Sequence, residues 1–180
     1  MTDFATLTGT YALDPTHTEL SFTARHAMIT KVRGSFESAG TIVLDGADPS
    51  NSSVEVTLQV ATVNTKNDDR DAHLRSADFF DVETYPTITF TSTGVSVEGT
   101  DVSVTGDLTI KDVTRQVVLP MEFTGHSKDP FGNDRIGFEG ELEVNRKDYG
   151  LTWNAALETG GVLVSEKIKL SLDVSAIKQV

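Results

Sequence analysis

Cysteine is absent from the chain, which excludes disulfides, thiolate metal sites and cysteine nucleophiles together. No apolar run approaches the ~20 residues that a membrane-spanning helix needs. The opening MTDFATLTGTYALDP has neither a basic leader nor an apolar core segment, so it does not read as a secretory signal, and the expectation is a soluble cytoplasmic protein. Gly-x-Ser-x-Gly, the Walker loop, Gly-x-Gly-x-x-Gly and His-Glu-x-x-His are all missing, and with them the usual signatures of hydrolases, kinases, dinucleotide enzymes and zinc peptidases. Bases are outnumbered, 15 against 27 acids, for a formal net charge of −12. That balance argues against nucleic acid and against anionic membrane surfaces as partners, and it favours solubility. The 180 residues suit one domain, and at 38% hydrophobic they can bury a core.

What is abundant is alternation. Leu20, Phe22, Ala24 and His26 fall on one side of a run whose other side carries Glu19, Ser21, Thr23 and Arg25. Val54, Val56, Leu58 and Val60 repeat the pattern, as do Val102, Val104, Leu108 and Ile110, and again Ile168, Leu170, Leu172 and Val174. A period of two over so many runs predicts strands with one buried and one wet face, typically antiparallel. Gly, Asn, Asp and Pro punctuate the runs at Asp45–Pro49, Glu98–Asp101 and Asp129–Asp134. The prediction is all-β, an extended antiparallel β-barrel of about eight strands spanning residues 1–180 as a single domain. Closure is preferred over an open sandwich because long open edges invite aggregation.

Asn64–Pro86, NTKNDDRDAHLRSADFFDVETYP, breaks the rhythm and is far longer than an ordinary hairpin turn. Acids ahead of a base predict a short helix over Asp68–Ala77, and Tyr85-Pro86 returns the chain to an extended course. Its charged half, with Asp68, Asp69, Arg70, Asp71 and Arg75, predicts a solvated, salt-bridged helix. Phe79 and Phe80 predict either a hydrophobic plug or a staple to the core. Asn145–Gly150, followed by the lone Trp153, is a second irregularity. Of the four histidines, His17 reads as a turn residue or a metal ligand, and His26 as a core or cavity histidine. His73 belongs to a structural network or a catalytic one, and His126 is read as exposed.

Tyr11–Phe22 (YALDPTHTELSF) and Asn64–Asp81 (NTKNDDRDAHLRSADFFD) resemble the YceI-like lipid- and polyisoprenoid-binding family. Tyr85–Phe90, Gly106–Ile110 and Arg146–Trp153 (RKDYGLTW) continue the likeness in order along nearly the whole chain. Tyr11 stands where the family often has Trp, and Thr18 follows His17 where Ser is commoner. The resemblance implies a lipocalin-like barrel around a long isoprenoid, a homodimer and no required metal; many relatives are exported.

Together, the apolar faces and the resemblance nominate a ligand-binding interior, with no catalytic, metal or cofactor residue. The strands would contribute Phe22, His26, Phe36, Leu58, Phe90 and Phe138, with Trp153 beside them. Leu74, Phe79 and Phe80 would come from the cap. The expected function is binding of a long apolar isoprenoid, a polyprenyl quinone among the candidates, for carriage, storage or sequestration. Two alternatives stay open: a cofactor-free isomerase or cyclase using His26 and groups of the cap, and a stress-linked interaction module whose own side chains fill the barrel.

Overall fold

The alternating runs become nine strands in the computed structural model, which describes residues 3–180. They are β1 (Gly9–Leu13), β2 (Glu19–His26), β3 (Thr30–Leu44), β4 (Ser53–Asn64), β5 (Thr87–Glu98), β6 (Asp101–Ile110), β7 (Val113–Lys128), β8 (Asp134–Asn145) and β9 (Lys167–Lys178). One α-helix, α1 (Asp68–Arg75), lies between β4 and β5. Strands β2 to β9 each pair antiparallel with their neighbours, and β2 closes the ring by pairing with both β3 and β9. The long edges that an open sheet of this size would expose are thereby removed.

The ninth strand adds no further position to the ring. β1 pairs with the end of β3 (Gly9 with Leu44) and the end of β9 (Tyr11 with Lys178). β2 pairs with earlier parts of the same two strands. Because both run antiparallel to β3 and β9, β1 and β2 act as one barrel strand interrupted at Asp14–Thr18. The interruption is held by Asp14, whose carboxylate accepts from the Thr16 amide (3.0 Å), contacts His17 Nδ1 (2.8 Å) and accepts from Arg135 Nη1 (2.6 Å). His17 is thus the turn residue anticipated, bonded to a carboxylate.

Register defines two ends. The β2–β3 turn, α1, the β6–β7 turn and the connection from Arg146 to Glu166 share one end, called here the cap end. The chain start and the β5–β6 and β7–β8 turns share the other. At that far end a short 3-10 helix, Phe4–Leu7, carries Phe4 against Phe123, with ring centroids 4.9 Å apart. Tyr11 is buried and donates from its hydroxyl to the Leu7 carbonyl (2.8 Å).

Two strand glycines make room for rings. A Cβ at Gly34 would collide with the Phe22 ring and with Thr65, and one at Gly106 would collide with the Phe90 ring. Phe22 pairs directly across from Gly34, so the missing side chain lets the ring lie flat over the neighbouring strand.

Candidate functional site: an apolar tunnel and its cap

The inward positions of the strands do not meet at the barrel axis. They enclose a cavity of about 270 Å³, so side chains line the interior rather than fill it. On β6 the lining runs from Val102 to Ile110, roughly 26 Å at 3.3 Å per residue. Phe4 closes toward the far end, and Leu74, Phe79 and Phe80 reach in from the cap. Of the lining residues only Ser21, Ser52, Thr89, Ser171, Arg146 and Tyr149 carry a polar side-chain group. The space is a narrow apolar tunnel near the lower bound of ~300–1,000 Å³ usual for small-molecule pockets.

Arg146 sits in this wall yet is buried away from water. Its Nε donates to the Ser165 carbonyl (2.8 Å), and its Nη1 donates to the carbonyls of Leu151 (2.7 Å) and Trp153 (2.9 Å). Burial pushes its pKa down, opposed by the charge of Glu166. The planar fork suits this role, because one side chain can satisfy several divergent carbonyls. It anchors the 151–165 connection beneath the barrel end. Tyr149, one helical turn on, is also buried, and burial raises its pKa. Gly150 takes the left-handed conformation (φ 78°) that ends the short 3-10 helix Arg146–Tyr149.

The cap is ordered by its own polar atoms. Asn67 caps α1 by accepting from the Arg70 amide (2.9 Å). Asp71 is buried and accepts from the amide (2.8 Å) and hydroxyl of Thr65. Arg70 donates to the Thr65 hydroxyl and carbonyl (both 2.7 Å), and Arg75 donates to the Ala61 carbonyl (2.9 Å). The solvated, salt-bridged helix expected from sequence is therefore corrected. Its arginines bond to backbone and hydroxyl groups, and the one acid–base contact of the cap among the described residues is His73 Nε2 to Asp78, at 2.9 Å. The helix also stops at Arg75 rather than Ala77, because the Ser76, Phe80 and Val82 amides turn back onto the carbonyls of His73, Leu74 and Arg75.

Eight of the ten nominated residues line the tunnel: Phe22, Phe36, Leu58, Leu74, Phe79, Phe80, Phe90 and Phe138. Phe80 meets Phe36 edge-on (5.7 Å), and Phe36 in turn lies 5.6 Å from Phe22. Trp153 does not line it. Its ring packs behind the cap on His73 (4.7 Å) and Phe79 (5.3 Å). His26 does not line it either. It lies at the end of β2, exposed, paired with Thr30 and bridged to Val164. The alternation that puts His26 on the apolar face is intact, but β2 has by then left the barrel wall. Neither His26 nor His73 is in the wall, and His126, near the end of β7, is exposed.

Sequence reasoning missed Phe4 and Arg146. Phe4 lay outside any alternating run, and only the irregularity at Asn145–Gly150 hinted at Arg146. Among the described residues there is no cluster of three or more His, Asp or Glu positioned to hold a metal, and no helix is long and apolar enough to cross a membrane.

A closed antiparallel barrel around an apolar tunnel, with one helical cap, defines a lipocalin-like barrel protein. Residues 11–176 match the YceI-like domain. A UPF0312 protein of Staphylococcus aureus is 38% identical over 161 residues, 88% of this chain and 92% of that protein. The chain belongs to the YceI-like family. The YceI protein of Campylobacter jejuni superposes with a TM-score of 0.74 at 31% identity, covering 87% of this chain and 90% of that one. At lower identity the likeness is one of fold. BcnA of Burkholderia cenocepacia gives a TM-score of 0.79 at 22% identity, covering 91% and 98%. A polyisoprenoid-binding domain from Saccharophagus degradans gives 0.70 at 18%, covering 94% and 98%.

Proposed function

We propose that the protein binds a long, apolar isoprenoid chain in the barrel and carries, stores or sequesters it, a polyprenyl quinone being one fitting ligand. The observation that carries this reading is the tunnel wall, apolar along roughly 26 Å of β6 strand. A long, thin hydrocarbon matches its length, and a compact polar metabolite would find almost no hydrogen-bonding partner there. The Saccharophagus degradans domain named for polyisoprenoid binding shares the fold.

The energetics agree. Burial contributes about 0.8 kcal/mol per CH₂, so a five-carbon unit brings roughly 3–4 kcal/mol. A few units offset the ~4–15 kcal/mol cost of association. Such binding is tolerant of chain identity, since a smooth apolar wall distinguishes poorly between chains differing by a methylene.

A binding role is favoured over catalysis by where the nominated acid–base groups lie. His26 and His73 are outside the wall. Of the two titratable side chains in it, Arg146 is committed to backbone carbonyls and Tyr149 is held in its neutral form by burial. Native mass spectrometry of the purified protein, compared with its denatured mass, tests the proposal. A copurifying lipid, or uptake of added polyprenyl quinone, is expected. A protein that is ligand-free and stays so with polyprenol and polyprenyl quinone overturns it.

A further inference from the structure

The β2–β3 hairpin overhangs the barrel. β3's last pair with β4 at the cap end is Ser35 with Asn64, so Thr30–Arg33 run on past that strand by roughly 13 Å at 3.3 Å per residue. At its tip Met28 and Ile29 are 58% and 77% exposed, and beside them Val162 is 37% exposed. The Ala27 amide donates to the Leu163 carbonyl (2.7 Å), which joins the two segments. Ala27 and Met28 both take positive φ (51° and 60°), where a hairpin would ordinarily use Asn or Gly. Apolar side chains occupy the most exposed point of the overhang, at a turn that a small polar pair would form more easily.

The charge of this overhang opposes that of the rest of the protein. Leu20–Phe36 contains no acid, yet it carries Arg25, Lys31 and Arg33 in a chain with 27 acids and 15 bases. Arg25 lies directly across from Lys31, and Arg33 lies across from Thr23. Like charges placed opposite one another destabilise a strand pair. None of the three has a salt-bridge partner among the described residues, whereas the acids Glu166 and Glu143 hold Lys147 (2.7 Å) and Lys167 (3.7 Å). The net charge of −12 argues against an anionic surface for the molecule as a whole. Screening beyond about 8 Å at physiological ionic strength weakens the pull of acids elsewhere on the surface, so a local basic run can act on its own.

We propose that this hairpin is a docking element for an anionic lipid bilayer. Arg25, Lys31 and Arg33 engage headgroup phosphates, and Met28, Ile29 and Val162 enter the boundary between headgroups and acyl chains. A bilayer fits better than a protein or nucleic acid. The tip's exposed apolar residues are three, Met28, Ile29 and Val162, against the roughly 20–30 residues that a stable protein interface takes from each partner. A nucleic-acid backbone would leave the Met-Ile pair in water.

The test is sedimentation of the purified full chain with vesicles of phosphatidylcholine alone or mixed with phosphatidylglycerol. Binding to the mixed vesicles that weakens with salt, and is at least tenfold weaker to the neutral ones, is expected. At roughly fivefold per basic residue, Arg25→Gln, Lys31→Gln and Arg33→Gln together should weaken it about 100-fold. Met28→Ser with Ile29→Asp should abolish it, with thermal unfolding unchanged. Phe131→Ser, which removes the 90% exposed ring at the far end, should leave binding intact and so separates docking from general adsorption. Failure to bind mixed vesicles, equal binding to neutral ones, or indifference to the hairpin substitutions overturns the proposal. So does a shift from dimer to monomer on Ile29→Asp without a change in vesicle binding, which would make the tip a contact between copies. Vesicle binding is read on the protein itself, so the result stands apart from whether the tunnel takes up an isoprenoid.

Discussion

Phe79 and Phe80 are adjacent in sequence and both line the tunnel, but their surroundings differ. Phe79 is buried among Trp153 and His73, while Phe80 is half-buried and meets Phe36 edge-on. Removing Phe79 opens a hole between the cap and the 151–165 connection, a change that costs about 3–5 kcal/mol in well-packed cores. Phe80→Ala should cost less than about 2 kcal/mol, because part of the vacated volume is tunnel. We therefore expect Phe80→Ala to lose copurifying ligand while its urea midpoint stays close to that of the unaltered protein. Phe79→Ala should shift the midpoint strongly. Equal destabilisation by both would show that Phe80 belongs to the core and that its capping role is wrong. The adjacency of two large rings was visible in the sequence. Which ring serves packing and which serves the tunnel depends on Trp153, over seventy residues away, and so was not.

At the scale of elements, the interruption between β1 and β2 and the β7–β8 turn are tied together by one guanidinium. Arg135 donates from Nη1 to Asp14 (2.6 Å) and from Nε to Asp129 (2.8 Å). Arg135 and then His17 hold the Asp14 carboxyl well below the usual range, and Asn133 and then Arg135 do so for Asp129. In the unfolded chain these groups titrate near 3.8. Between that value and their lower native ones, the unfolded state binds more protons, so stability falls as pH falls through this window. The contribution is fully present above about pH 4 and lost progressively below it. Arg135→Met should lower stability at neutral pH and make the acid decline shallower, measured as urea midpoints along an acid pH series. An unchanged acid slope would mean that Asp14 owes its low pKa to His17 and Thr16, and Asp129 to Asn133 and local amides, without Arg135. The strands of these elements were legible because alternation is local. The arginine's partners were not, since Asp14 lies 121 residues away from it.

For the whole molecule, a ligand held in the tunnel would link occupancy to stability. A ligand that binds only the folded state stabilises by mass action, about 2.7 kcal/mol when present at 100 times its Kd. Stripping lipid from the purified protein should therefore lower its Tm by several degrees, and returning a polyprenol should restore it. A Tm indifferent to both steps would mean that the barrel holds no ligand tightly enough to matter. Charge also acts at this scale. A net −12 argues against membranes for the molecule as a whole, yet the stretch Leu20–Phe36 carries three bases and no acid. Composition averages over the surface, and docking depends on its arrangement.

The sequence by itself determined the strands and their inward faces, because a pleated strand sends alternate side chains to opposite sides. It also determined the presence of a capping helix, through the acids Asp68 and Asp69 ahead of Arg75. Eight of the ten nominated residues reach the tunnel for the same reason. Only the tertiary structure decided where the wall ends. His26 keeps the alternation of β2 but lies on the overhang, outside the tunnel, since no local pattern records how far a strand outruns its neighbour. Only the tertiary structure, likewise, placed Trp153 behind the cap and Arg146 among carbonyls from residues 151, 153 and 165. Those contacts form when distant segments close over the barrel end, and their energy depends on burial, which a linear sequence does not contain.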